Sequence, residues 1–168
     1  MTDQLQSDRD LLVQNPNDVD ALTRVEAALV ESADWTGLVR LTEARSDKLE
    51  PETALAEWRR LATSLETHAQ AAKELSKKAV LLLEVGRILE ERLERPDEAL
   101  SFFRQSYRAD PSRTDALYAA RSVYELREDW PLVVQTCAIE ARASKNKDQQ
   151  AALYTAMAEI CEGPMDDA

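Results

Sequence analysis

Chemistry in this chain has few residues to draw on. The only histidine, His68, stands in Leu65-Glu66-Thr67-His68-Ala69. A lone histidine does not found a His-based zinc site, which draws on several nitrogen or sulfur ligands at matched spacing. A Cys-His nucleophile pair would need Cys137 or Cys161 to reach His68, and no local spacing brings either one near. The two cysteines do not form Cys-x-x-Cys. Both fall on apolar stripes, where a thiol packs as a small apolar group. Carboxylates do occur in pairs: Glu90-Glu91, Asp97-Glu98 and Asp166-Asp167. General acid/base work needs a pocket that holds one carboxyl apart in pKa. These pairs lie on polar helix faces or near the tail, so solvation accounts for them. The run Glu90–Arg95 alternates acid and base as an exposed, salt-bridged face does. Only Gly37, Gly86 and Gly163 are glycine, too few for a phosphate-cradling loop. No nucleotide fingerprint or Ser-His-Asp order is present. The expectation is a protein that is not an enzyme, with no catalytic residues, no metal and no cofactor.

The elements that would position these side chains are helices. Hydrophobic residues make up 44% and charged residues 32% of the 168 residues, a balance that folds rather than stays disordered. Alanine, leucine, glutamate and arginine dominate, all strong helix formers. The formal net charge is -11. DNA and anionic membranes, whose binding rests on Lys and Arg, would be repelled. Neither nucleic acid nor membrane is therefore expected as a partner, and a basic protein segment suits the charge better. The same charge also keeps a protein soluble. Two cysteines do not make a disulfide framework. The residues from Met1 to Arg9 carry no apolar leader pattern, and no run of about 18 apolar residues exists. The expected location is cytoplasmic.

A long repeat runs through the chain. Asn15-Pro16-Asn17-Asp18-Val19-Asp20-Ala21-Leu22 is followed by Asp34-Trp35. Asp110-Pro111-Ser112-Arg113-Thr114-Asp115-Ala116-Leu117 is followed by Asp129-Trp130. Proline, Asp-Ala-Leu and Asp-Trp recur at one offset of 95 residues, from 16 to 111 and from 35 to 130. A shorter pattern recurs more often: apolar, two others, apolar, a small residue, two others, apolar. Leu82-Val85-Gly86-Leu89 is its best copy. Leu22-Val25-Leu29, Trp58-Leu61-Ala62-Leu65, Leu117-Ala120-Tyr124 and Tyr154-Met157-Ala158-Cys161 are the others. Spacings of three and four put each set on one face of a helix.

After the best copy come Pro96-Asp97, then Ala99, Phe103, Ser106 and Pro111. With this second helix the pattern resembles the tetratricopeptide repeat. Gly86 matches that family's first-helix glycine, and Leu89 stands where the family prefers tyrosine. One extra residue lies in the turn near Glu94-Arg95. In the copy near Thr114, Arg121 replaces the glycine and Cys137 takes the aromatic site of the second helix. The resemblance covers roughly residues 15–162 and implies an all-α superhelix, a solenoid of antiparallel helix hairpins. Helices are expected at about 4–14, 18–32, 35–49, 51–67, 70–94, 96–109, 114–127, 130–144 and 148–162, about nine in all. They form one domain over 1–168, with an irregular or inserted helix near 51–70 and a short acidic tail at 163–168. The expected N-caps are Asn17 or Asp18, Asp34, Ser112 and Asp129. Pro51, Pro96 and Pro131 are expected in first turns, where a missing N–H costs little.

The resemblance also implies a function, protein binding on a concave face built from first helices. It places Leu83, Arg87 and Glu90 there, then Tyr118, Ser122 and Glu125, then Thr155, Glu159 and Glu162. Arg59, Thr63 and Glu66 hold the same offsets on the irregular helix. The expected partner is a protein or peptide segment, basic or amphipathic. The Lys/Asn clamp that one sub-family uses for a terminal carboxylate is absent, because those offsets hold Leu83, Arg87, Tyr118 and Ser122. A second expectation comes from the last helix, whose stripe of Tyr154, Met157 and Cys161 has no following helix to cover it. The chain would then be a homo-oligomerisation or assembly module, or a piece of a longer array.

Overall fold

The computed structural model describes residues 2–163. Apart from Gly163, the acidic tail read at 163–168 lies outside them. The described residues form nine α-helices and no strand, so the chain is all-α. The helices are α1 (Thr2–Gln14), α2 (Val19–Glu31), α3 (Trp35–Ser46), α4 (Pro51–Ala71), α5 (Leu75–Glu91), α6 (Pro96–Ala109), α7 (Asp115–Leu126), α8 (Trp130–Ala143) and α9 (Lys147–Glu162). They gather into two compact units, Met1–Leu65 and Glu66–Ala168. The division falls inside α4, in the segment that the repeat spacing marks as irregular.

Local chemistry sets most of the boundaries. The Asp18 side chain accepts the Ala21 N–H at 2.9 Å, and Asp34 accepts that of Gly37 at 2.8 Å. Pro51, Pro96 and Pro131 all lie in first turns. One expected cap is corrected. Ser112 caps nothing; its N–H and hydroxyl both donate to the Asp110 carboxylate, and Thr114 stands at the start of α7. Asp129 occupies the N-cap position of α8 without a side-chain cap bond. The α4–α5 break also falls later than expected, at 72–74 rather than near 68–69. No glycine or proline marks it. Glu74 simply turns extended, at φ -86 and ψ 121 degrees.

The long repeat is built into the backbone. Ala33 and Glu128 both adopt positive φ, 54 and 56 degrees. Asp34 N–H donates to Leu29 O and Asp129 N–H to Tyr124 O, while Ala33 donates to Val30 O and Glu128 to Glu125 O. Both helices thus end in the same left-handed Schellman turn. At the end of α5 the corresponding bond runs from Arg95 N–H to Leu89 O, with Glu94 at positive φ. That turn holds one residue more, as the sequence spacing indicates.

The first unit buries Leu12, Leu22, Val25, Leu29, Leu38, Trp58, Leu61 and Leu65. Charge is bound into it as well. Asp8, 1% exposed, takes a two-pronged contact from Arg24 at 2.9 and 2.8 Å. Arg45 is buried and donates to Pro16 O and to Glu57, each at 2.9 Å. Arg60 bridges Glu57 and Glu26. A buried guanidinium is tolerable only with its donors met in this way.

In the second unit, consecutive helices pack on one another from α5 to α9. Gly86 lies against the Phe103 ring, and the Ser106 hydroxyl donates to Ala79 O at 2.7 Å. Contacts that move up α6 while moving down α5 make this pair antiparallel. Phe103 is fully buried, as are Val133 and Cys137 of α8.

Candidate functional site

The candidate site is a groove of about 530 Å³ within the second unit. Arg87 lines it from α5. Thr114, at the N-cap, and Asp115, Tyr118 and Arg121 line it from α7, Glu140 from α8, and Gln149, Ala152, Leu153 and Ala156 from α9. Three of the contributing helices are alternate ones, α5, α7 and α9. Tyr118 is 59% exposed, and the Arg121 guanidinium carbon sits 5.1 Å from its ring centroid. That distance suits a cation–π contact.

Arg121 is held from two sides. Its Nε donates to Glu140 Oε1 at 2.9 Å and its Nη1 to Glu125 Oε1 at 2.7 Å. Glu140 is 2% exposed. Burial pushes its carboxyl above the usual carboxylate range even with Arg121 beside it. The Cys137 thiol is likewise pushed up by burial, so it is a packing group rather than an activated nucleophile.

This cluster is a rebuilt version of the α5–α6 contact. Arg121 holds the place of Gly86, Cys137 that of Phe103, and Glu140 that of Ser106. In the first pair a bare backbone accepts a ring. In the second a small thiol leaves room, and a guanidinium with its own carboxylate occupies the helix crossing.

The expected site residues divide into groups. Arg87 and Tyr118 line the groove. Arg87 also donates to Glu84 at 3.0 Å. Leu83 is a correction: it is 1% exposed and presents no surface. Leu81, Leu82, Leu83, Val85, Ile88 and Leu89 are all buried, so α5 is covered on more than one face and lacks the single polar side that the offset rule assumes. Glu90 is half-buried outside the groove lining, its carboxyl pushed up by burial and by neighbouring Glu91. Ser122 turns its hydroxyl back to Tyr118 O, and Glu125 is engaged by Arg121. Thr155, Glu159 and Glu162 are exposed on α9 but do not line the groove.

The reason lies in the register of α9. Tyr154, Ala158 and Cys161 are exposed, whereas Leu153 is buried and Met157 and Ile160 pack on Val133, Cys137 and Ala141. The packing copy on this helix is therefore Leu153-Ala156-Met157-Ile160, which keeps the same spacing with the small residue one place earlier. The copy read one residue later is corrected, and Cys161 does not lie on a packing face. Asn146 fixes the start of α9 by accepting the Asp148 and Gln149 N–H groups.

Sequence reasoning missed Glu140, Gln149 and the groove role of Arg121. The signal was present for Arg121 and Glu140, as a charge pair replacing Gly and Ser at matched repeat positions. His68 lies half-buried in the last turn of α4. Among the described residues no group of three or more His, Cys, Asp or Glu is placed to hold a metal ion, and no helix is long and apolar enough to cross a membrane. Compared with known proteins, the chain matches no family model, no curated protein and no solved structure at a significant level.

Proposed function

We propose that this chain is a non-enzymatic helical-repeat scaffold of tetratricopeptide type, and that the groove along α5, α7 and α9 holds a segment of another protein. One observation carries the reading. An exposed tyrosine, Tyr118, stands over a pinned arginine in a groove lined by alternate helices. Exposed aromatics beside fixed polar groups are what peptide-binding surfaces use as anchors. The excess of acid in the chain, 32 Asp and Glu against 21 Lys and Arg, favours a basic or amphipathic segment. Glu159 and Glu162, exposed on α9, add negative charge in the same unit.

The test is fluorescence anisotropy with a labelled basic amphipathic peptide. Tyr118→Ala is expected to weaken binding about tenfold or more, the scale of an aromatic anchor. Glu125→Lys with Glu159→Lys is expected to weaken it further and to lessen its salt dependence. Unchanged affinity in both variants refutes the groove assignment.

A second reading has its own observation. Tyr154 is 53% exposed, with Ala158 and Cys161 exposed on the same side of α9, a face suited to a second copy of the chain. Light scattering over a concentration series decides it: a dimer that Tyr154→Glu dissociates moves assembly ahead of peptide capture.

A further inference from the structure

The first unit holds a groove of opposite character. It has a volume of about 330 Å³ between α1, α2 and α3. Its accessible apolar surface is Val13, 64% exposed, with Ala44 and half-buried Leu41, lying over the buried Leu12, Val25 and Leu29. Its charged residues are Arg9, Arg40, Arg45 and Lys48 against one acid, Asp34. In a chain where acids outnumber bases, this reverses the local balance.

The state of each charge sharpens the point. The Asp34 carboxylate is engaged as the cap of α3. Arg45 is engaged by Glu57. Lys48 donates to Val13 O at 2.6 Å, a neutral acceptor, and makes no ion pair among the described residues. Arg9 and Arg40 are exposed and make no ion pair among the described residues. Three cations without an ion pair among the described residues thus line an apolar cleft between helices.

We propose that this groove binds an acidic amphipathic helix from a partner protein, its apolar face on Val13, Leu41 and Ala44 and its carboxylates toward Arg9, Arg40 and Lys48. The apolar patch of Val13, Leu41 and Ala44 distinguishes such a ligand from a bare polyanion, which would leave that patch wet. A helix laid between helices matches the known helix-in-groove mode of recognition. The site lies in a different unit from the Tyr118 groove, so each stands or falls separately.

The probe is a labelled synthetic helix with leucine on one face and glutamate on the flanks, titrated by anisotropy. One control is a polyglutamate peptide of equal charge; another is the same helix with lysine for glutamate. Binding of the acidic helix is expected, weakening with salt. Arg9→Glu with Arg40→Glu is expected to weaken it about tenfold or more, as reversing charges at an interface does. Tyr118→Ala is expected to leave it unchanged. Both arginines are exposed, and an unchanged far-UV circular dichroism spectrum shows that the variant folds; Arg9→Gln with Arg40→Gln serves if it does not. The proposal is overturned if the acidic helix fails to bind, if polyglutamate binds equally well, or if the arginine variants bind it as the parent does. It is also overturned if the parent self-associates in light scattering and the arginine variant does not, since the occupant is then a second copy.

Discussion

Gly86→Ala is the sharpest test of the α5–α6 contact. A Cβ on Gly86 would lie 2.6 Å from Phe103 Cδ1, closer still to Cε1, and 3.1 Å from Cζ. Phe103 is fully buried and cannot swing aside. Overpacking of this kind costs about 1–3 kcal/mol. Against it stands helix propensity, since alanine within a helix is worth about 0.8–1.0 kcal/mol over glycine. Two ring atoms inside any normal contact distance put the strain toward the upper end, so a net loss of about 1–2 kcal/mol is expected. The decisive measurement is a double-mutant cycle with Phe103→Ala, followed by urea unfolding and circular dichroism. Phe103→Ala alone should cost about 3–5 kcal/mol. In that background the ring is gone, the strain vanishes, and Gly86→Ala should become stabilising by about 1 kcal/mol. The substitution therefore changes sign. If it stabilises the parent, or if the two effects simply add, the ring does not rest on Gly86 and the antiparallel pairing deduced from it is wrong.

Other outcomes follow from single groups. Arg121→Ala leaves Glu140 buried with no cation, and breaking a buried pair costs about 3–5 kcal/mol. Because burial already raises the Glu140 carboxyl, its folded form holds a proton that the unfolded chain releases, so stability falls as pH rises through that window; the loss in Arg121→Ala should be greater at about pH 7 than at about pH 5 in parallel melts. Glu57 has the opposite sign. Burial pushes its carboxyl up, but hydrogen bonds from Arg60 and Arg45 outweigh this and hold it below the usual value. Its contribution is present above the unfolded value and lost as pH falls through the folded one, so Glu57→Gln should flatten the acid limb of the stability curve. Cys161 is exposed and Cys137 buried, so a thiol reagent should titrate one cysteine in the native protein and both in denaturant. Glu128→Gly should stabilise by up to about 1 kcal/mol in urea melts, because it removes a left-handed non-glycine residue.

Helix content was legible because its signals are local. Caps at Asp18 and Asp34, prolines in first turns and the apolar three-four spacing each act within a few residues, and they place most helix starts, whereas α3 and α5 each end three residues before the expected 49 and 94. The α4–α5 break was expected a few residues too early because Ala72-Lys73-Glu74 contains no breaker residue to mark its place. The site was less legible. A register assigned by pattern alone can rotate a helix by one residue, about 100 degrees. On α9, Tyr154 and Cys161 fit the pattern nearly as well as Leu153 and Ile160. Only the neighbours Val133 and Cys137 of α8 decide between them. Leu83 failed for a related reason, since an offset rule assumes one buried face and α5 has more.

The two best-matched hairpins show how a crossing changes its chemistry while the helix pair is kept, with one more residue in the turn after α5. Gly86, Phe103 and Ser106 make a dry crossing, closed by a ring and by a hydroxyl bonded to a main-chain carbonyl. Arg121, Cys137 and Glu140 make a charged one, and the exchange works only as a set. A guanidinium in place of the glycine would collide with a phenylalanine at the Cys137 position, and without Glu140 it would lack its buried partner. The result places Arg121 and Glu140 on the lining of the Tyr118 groove. Phe103 and Ser106, by contrast, are both fully buried and line no part of it. A polar group is thereby delivered to a groove by altering a crossing, while Glu94 and Glu128 each adopt positive φ in the turn that joins the paired helices.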